Sequence, residues 1–255
     1  MNVKALLDNP LGRSLFLGLT LALVTSYPRA EEPMRTLNAA FLHYPPLAYL
    51  DENGEAAGSV IDLTNSLAAQ SGLKLDWKVY PIKRIYKGLR NGEIDIWPGS
   101  QAVPALSDAT LETPSIGIEI TLCAFSLEGT PLLDTLEDLS RSQLVLIRGY
   151  TYRAQLDDIF QNSVREPIVT PDHDSAMQLL EKGRADYLIS YNDPIEHVLL
   201  DNPQPGSKCE AIDRWPLVYV ISRQLFDAPD VAASLTKAYE RVSHAEQKRS
   251  IALTQ

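Results

Sequence analysis

The first half of the chain alternates between strand-like and helix-like hydrophobic patterns. Residues 36–42 form a mostly apolar run, and residues 73–79 alternate apolar and polar side chains with a period of two, so both segments predict strands. Residues 60–70 and 82–89 repeat apolar side chains at helical spacing, and a glycine follows shortly after each stretch. A short strand at residues 94–97 completes a β-α-β-α-β order, which is typical of a sheet covered by helices.

The same order returns in the second half of the chain. Residues 143–147, 168–170 and 185–190 predict three further strands. Residues 174–175, an Asp-Ser pair, predict the cap of a helix between the last two strands. The pattern therefore predicts a second α/β unit.

Two extended segments connect these units. Residues 118–126 lie between them and residues 217–222 follow the second one, which predicts a two-strand hinge. A tail from residue 228 onward has apolar side chains at helical spacing and is expected to pack on the first unit. The predicted fold class is α/β, with two α/β lobes joined by the hinge. Lobe 1 is predicted to comprise residues 31–122 plus 222–255, and lobe 2 residues 123–221.

The N-terminus has the pattern of an export signal. Lys4 and Arg13 precede the apolar residues 15–24, a stretch about half as long as the roughly 20 residues that a membrane-spanning helix needs. We therefore predict a signal peptide at residues 1–30, with its cleavage point left open, and a soluble protein in the periplasm.

Charge and cysteine content exclude several functional classes. The net charge of −10 repels nucleic acid and anionic membranes. Cys123 and Cys209 are the two cysteines, and in an oxidising compartment they either form a disulfide or remain two small buried side chains. The four histidines are scattered along the sequence, and no ligand spacing is present, so we expect neither a metal site nor a cofactor.

Short motifs along the chain resemble those of one protein family. In order they are Tyr-Pro-Pro at 44–46, Gly58 with Ile-Asp-Leu at 61–63, Leu89 with Gly-Glu-Ile-Asp at 92–95, Leu-Glu-Asp-Leu at 136–139, Gly-Tyr-Thr-Tyr at 149–152, and Leu180 with Gly-Arg-Ala-Asp at 183–186. This ordered set resembles the periplasmic solute-binding proteins of family 3, which include the polar amino-acid binders. The resemblance implies a type II periplasmic-binding-protein fold, in which two lobes close on a ligand that both of them contact.

Candidate ligand contacts in lobe 1 lie at predicted strand ends, where ligands of α/β sheets collect. Tyr44 follows the first strand and can stack on a ligand ring, unless it only shapes a surface turn. Trp97, Gly99, Ser100 and Gln101 follow the third strand. Gly99 lets the backbone approach a ligand, and Ser100 and Gln101 can hydrogen-bond to it, unless the segment is an ordinary turn.

Further candidates are an arginine in lobe 1 and three residues of lobe 2. Tyr150 and Thr151 are predicted to open a helix whose free N–H groups suit an anion or a carbonyl, although Thr151 can also serve only as the helix cap. Arg148, at a strand end, either supplies a cation to the cleft or is solvated. Arg84, near a helix N-terminus, either points into the cleft or is exposed.

The resemblance also implies charged contacts that this sequence lacks. Family members hold a ligand carboxylate with an arginine at the position of Leu106 or Ser107, and a ligand ammonium with an aspartate at the position of Tyr191. Asp193 is the nearby substitute for that aspartate, and Ile82 replaces a stacking aromatic. Because a buried zwitterion without charge partners carries a large desolvation cost, we expect a less charged ligand with an aromatic or amide group.

The sequence predicts binding rather than catalysis. The predicted function is that of a monomer that captures a small polar or aromatic solute for the membrane permease of an ABC-type transporter. The alternative partner is a membrane signalling protein with a sensor domain. An enzyme resembling the cyclohexadienyl dehydratases is less favoured, because no paired carboxylate motif occurs at the cleft positions.

Overall fold

A computed structural model describes residues 34–152 and 154–253. The predicted signal peptide and its cleavage point lie outside these residues. Within the described part of the chain, no helix is both long enough and apolar enough to cross a membrane.

The strands and helices are numbered in chain order. The strands are β1 (Arg35–Phe41), β2 (Tyr49–Leu50), β3 (Ala56–Ala57), β4 (Leu73–Val79), β5 (Ile96–Ser100), β6 (Thr110–Glu112), β7 (Glu119–Ser126), β8 (Leu144–Ile147), β9 (Ile168–Thr170), β10 (Tyr187–Tyr191) and β11 (Lys208–Ser222). The helices are α1 (Ser59–Gln70), α2 (Ile82–Asn91), α3 (Ala154–Gln161), α4 (His173–Glu181), α5 (Asn192–Asp201) and α6 (Ala228–Leu253). Short 3₁₀ turns lie at Pro104–Leu106 and Leu136–Arg141.

Lobe 1 is built on parallel pairing of β1 with β4 and β5, as the β-α-β-α-β pattern predicts. The amphipathic helix α1 buries its apolar face, and α2 ends at Gly92, whose φ of 78° is left-handed and suits a residue without a side chain. Helix α6 returns to contact α1, β6 and β11 and buries Val231, Leu235 and Ala238, so the predicted position of the tail is confirmed.

Lobe 2 contains the sheet β7-β10-β8-β9, in which β8 pairs in parallel with both β9 and β10. One predicted helix cap is wrong. Asp172, rather than residues 174–175, caps α4 by accepting a hydrogen bond from the Ser175 amide at 2.8 Å. Tyr150 and Thr151 lie before helix α3, which spans Ala154–Gln161, as expected for a turn that leads into a helix.

Strand β11 connects the two lobes. Its first part, residues 208–216, pairs antiparallel with β7, and its last part, residues 217–222, pairs antiparallel with β5 and β6. The predicted lobe boundary at residue 221 is therefore displaced, because the hydrogen-bonding partners change between Pro216 and Leu217. The predicted arrangement of two lobes joined by extended segments is confirmed.

The two cysteines form a disulfide inside lobe 2. Cys123 on β7 is bonded to Cys209 on β11, and their Cα atoms are 5.4 Å apart. The pairing of the two strands places these residues close to opposite each other. Of the two interpretations that the sequence left open, the disulfide is therefore the one that the structure contains.

Candidate ligand-binding cleft

A small cavity lies between the lobes at the carboxyl ends of β1 and β10. This inner pocket has a volume of about 70 Å³, and its walls include Tyr44, Ile82, Tyr86 and Trp97 from lobe 1 and Thr151 and Tyr191 from lobe 2. It adjoins an outer pocket of about 520 Å³ that shares Tyr86, Ser100, Thr151 and Tyr191 and adds Gln101 and Trp215. Both lobes thus contribute walls to one continuous site.

Tyr44 forms the main contact across the cleft. Its ring stacks on Tyr150 at a centroid distance of 6.3 Å and lies 5.5 Å from the ring of Tyr191. Its hydroxyl donates a hydrogen bond of 3.2 Å to Oδ2 of Asp193. The side chain is buried, and this burial raises the pKa of the Tyr44 hydroxyl, as does the negative charge of Asp193. The alternative of a surface-turn residue is therefore wrong, whereas ligand contact by Tyr44 stays a prediction.

Tyr191 joins this aromatic contact to the rest of lobe 2. It ends β10, its hydroxyl donates to the carbonyl oxygen of Thr151 at 2.8 Å, and its ring meets Trp215 edge-on at 5.8 Å. Trp215, on β11, was not among the predicted site residues. The hydrophobic pattern identified only residues 217–222 of that strand, so the tryptophan that precedes Pro216 and Leu217 was left out.

The segment from Trp97 to Ser100 is part of strand β5, so the alternative of an ordinary turn is wrong for these residues, and a turn begins only at Gln101. Ser100 lines both pockets and Gln101 lines the outer one. Gly99 has a packing role besides the predicted one, because a Cβ atom there would lie closer than 3.0 Å to the indole ring of Trp97, and ligand contact by Gly99 stays a prediction. The missing side chain makes room for the Trp97 ring, which in turn meets Tyr86 edge-on at 5.7 Å and forms a wall of the inner pocket.

A third cavity, which we call the histidine pocket, lies on the other side of the Tyr44–Tyr150 contact. It has a volume of about 680 Å³ and is lined by His43, Tyr80, Arg148, Tyr150, His173 and His197, among other residues. The predicted ligand contacts Arg148 and Tyr150 thus lie here, away from the inner pocket. The histidines that are scattered in sequence come together because the turn after β1 faces the start of α4 and the middle of α5.

His173 is the most enclosed of these histidines. Its Nε2 lies 2.8 Å from the hydroxyl of Ser190, and its ring is 5.7 Å from that of Tyr150. Burial lowers the pKa of His173 to about 4, against the opposing effect of Asp172 and with a further lowering by His43. The ring is therefore neutral at pH 7.

Arg84 lies outside the three pockets. Its guanidinium stacks over the ring of Tyr80 at 4.4 Å from the centroid, and the side chain is exposed. This position supports the exposed alternative, and ligand contact by Arg84 stays a prediction.

Comparison with known proteins supports the resemblance seen in the sequence. Residues 38–104, from β1 through β5 to Pro104, match the model of the bacterial extracellular solute-binding proteins, family 3. The predicted resemblance to family 3 is confirmed. The match includes Tyr44 and the strand that carries Trp97, Gly99 and Ser100.

Individual relatives agree with this resemblance at low sequence identity. A probable histidine-binding protein of Neisseria gonorrhoeae is 22% identical over 169 residues, which cover 66% of this chain and 63% of that relative. A histidine kinase sensor domain with similarity to periplasmic binding proteins superposes with a TM-score of 0.70 at 20% identity, covering 87% of this chain and 96% of the domain. An ancestral arginine-binding protein bound to arginine gives a TM-score of 0.69 at 21% identity, covering 86% of this chain and 97% of that one. These structures establish the type II periplasmic-binding-protein fold.

This chain departs from the amino-acid binders of family 3 at both expected charge positions. Leu106 is fully buried and packs with Trp97, and the Ser107 hydroxyl bonds to the carbonyl oxygen of Pro104, so neither residue lines the inner or outer pocket. The carboxylate of Asp193 lies behind Tyr44 and is half-buried, and this burial raises its pKa. Asp193, the predicted substitute for the family aspartate, thus lies beside the cleft and accepts a hydrogen bond from the Tyr44 hydroxyl.

Proposed function

We propose that this protein is an exported receptor that holds a small, weakly charged solute with a flat ring or amide group between its two lobes. The observation that carries the proposal is that Tyr44 of lobe 1 and Tyr191 of lobe 2 both line the inner pocket, with their ring centroids 5.5 Å apart. Flat rings on both sides of a cleft favour a flat ligand, because stacked and edge-on aromatic contacts add to the energy of apolar burial. The region that matches a solute-binding family includes one of these rings.

The inner and outer pockets suit two different parts of the expected ligand. The inner pocket, with walls from Ile82, Tyr86 and Trp97, suits an apolar or aromatic end. The outer pocket presents Ser100 and Gln101, whose side chains can hydrogen-bond to hydroxyl or amide groups. The replacement of the family arginine by Leu106 or Ser107 supports a ligand without a carboxylate at that position, since an unpaired buried carboxylate is costly.

A thermal-shift screen with small metabolites tests this proposal directly. Aromatic amides, aromatic alcohols and nucleobases form one group, and standard L-amino acids form the second. A ligand that binds only the folded state raises its stability by about 2.7 kcal/mol at one hundred times its Kd, so we expect a clear rise in Tm for members of the first group. Tight binding of a standard L-amino acid would contradict the proposed ligand class, and no response to any solute would contradict the receptor function.

The membrane partner is part of the proposal. We propose a monomer that delivers its ligand to the permease of an ABC-type transporter. The fold similarity to a histidine kinase sensor domain supports a second candidate, a receptor that reports its ligand to a signalling protein. Deleting the gene distinguishes them: a transport receptor is needed for uptake of the radiolabelled ligand, whereas a signalling receptor leaves uptake unchanged and alters the transcriptional response. Sedimentation velocity tests the monomeric state.

Asp193 gives the enzymatic alternative one specific supporting observation. A half-buried carboxyl with a raised pKa beside a cleft is the kind of group that acts as a general acid. Incubation of the purified protein with prephenate or arogenate, with product detection by chromatography, tests this alternative. We expect no turnover, and turnover that Asp193→Asn abolishes would replace the receptor proposal by a dehydratase.

A further inference from the structure

The histidine pocket spans the surface along which the two lobes meet. His43 lies in the turn after β1 in lobe 1, whereas His173 begins α4 and His197 lies on α5, both in lobe 2. Three of the four histidines of the chain therefore line one cavity of about 680 Å³ with walls from both lobes. Opening of the cleft must separate His43 from the other two.

The three rings influence one another electrostatically. His43 lowers the pKa of His173, and His197 lowers the pKa of His43, in each case in addition to the larger effect of burial. The negative charge of Asp172 raises the pKa of His173 and so opposes the effect of burial, but the Asp172 carboxylate already accepts the hydrogen bond that caps α4. The other titratable or charged side chains that line the pocket are Tyr80, Arg148, Tyr150 and Asp174.

We propose that the histidine pocket makes closure of the lobes pH-sensitive, so that protonation of His173, and of His43 across the lobe boundary, opens the cleft in acid. In this cavity a positive charge on His173 loses hydration and is repelled by a protonated His43 across the lobe boundary, whereas an open form gives the His173 ring access to water. The consequence for ligand release rests on the proposed receptor function, but the opening itself can be measured without a ligand.

The direction of the effect follows from the pKa of His173. In this structure, in which Tyr44 of lobe 1 contacts Tyr150 and Tyr191 of lobe 2, the pKa is about 4, below the ordinary value of 6.5. This closed arrangement therefore binds fewer protons than an open form with a solvated ring. Closure is therefore fully favoured above about pH 6.5 and is lost as the pH falls from there toward 4. If opening restores the ordinary pKa, this histidine alone shifts the equilibrium toward the open form by about 30-fold at pH 5.

Small-angle X-ray scattering of the processed protein at pH 7.5, 6.0 and 5.0 tests the proposal. We expect the radius of gyration to increase between pH 6.5 and 5 while the far-ultraviolet circular dichroism stays unchanged. The triple variant His43→Gln, His173→Gln and His197→Gln is expected to stay compact at pH 5. The matched control His244→Gln removes the fourth histidine, which is exposed on α6, and is expected to open like the wild type.

Several results would overturn the proposal. A wild-type radius that is the same at pH 5 and 7.5, or a triple variant that opens at the same pH as the wild type, rules out the histidines as the cause. If the triple variant does not fold, the single variant His173→Gln provides the comparison, because the expected shift of about 30-fold comes from this histidine. Loss of the pH effect in Asp193→Asn instead would assign the switch to that carboxyl. A ligand that binds equally well at pH 5 and 7.5 would contradict the pH switch alone, whereas no binding at pH 7.5 would contradict only the receptor function.

Discussion

Replacing Gly99 by alanine tests how the inner pocket is formed. The added Cβ atom would lie closer than 3.0 Å to atoms Cε2 and Cζ2 of Trp97. Carbon atoms in contact are normally about 3.5–4.0 Å apart, so the indole ring has to move by roughly 1 Å or more. The ring is enclosed between Gly99, Tyr86 and the inner pocket, and the pocket is the side with free volume.

The expected cost of Gly99→Ala is that of overpacking a core, about 1–3 kcal/mol. For a protein of this size, roughly 2–4 °C of Tm is lost per kcal/mol, and thermal and urea unfolding measure the difference. The double variant Trp97→Leu with Gly99→Ala provides the control, because a smaller side chain at position 97 removes the clash. We expect alanine at position 99 to cost less in the leucine background. An equal cost in both backgrounds would refute the role of Gly99 as the residue that makes room for Trp97.

Three other changes test separate features of the structure. Tyr44→Ala is expected to weaken binding of the ligand found by screening at least tenfold, with Tyr49→Ala outside the pockets as the control, and calorimetry would contradict the stacking role if the affinity is unchanged. The pair Cys123→Ser and Cys209→Ser is expected to lower the free energy of unfolding by about 4 kcal/mol, given a closed loop with a sequence separation of 86 residues, and a reducing agent should then have no further effect on Tm. Asp193→Asn is expected to gain free energy of unfolding relative to the wild type as the pH rises from 4 to 7. Burial raises the pKa of Asp193, so the wild type loses stability when this carboxyl becomes charged, whereas asparagine stays neutral. A difference in urea unfolding that does not depend on pH would contradict this sign.

Local patterns predicted most of the secondary structure. The alternation in β4, the helical spacing in α1 and α6, and the glycine that ends α2 all depend on nearby residues, and each was read from the sequence. Helix α5 was missed, although the sequence Asn192-Asp193-Pro194 after a strand is a recognisable helix start. The first part of β11 was also missed, because its residues are mostly half-buried or exposed without a period of two and its strand pairing is with β7, far away in sequence.

By itself, the sequence determined the α/β class, the β-α-β-α-β pattern of lobe 1, the resemblance to family 3 and the absence of an arginine at positions 106 and 107. These features are local, or they depend on the identity of a residue at one motif position. Only the tertiary structure decided that Cys123 bonds to Cys209, that Gly99 accommodates Trp97, and that three scattered histidines line one pocket. Each of these depends on which strands pair and which loops face each other across the cleft, and such long-range packing is set by the whole fold rather than by neighbouring residues.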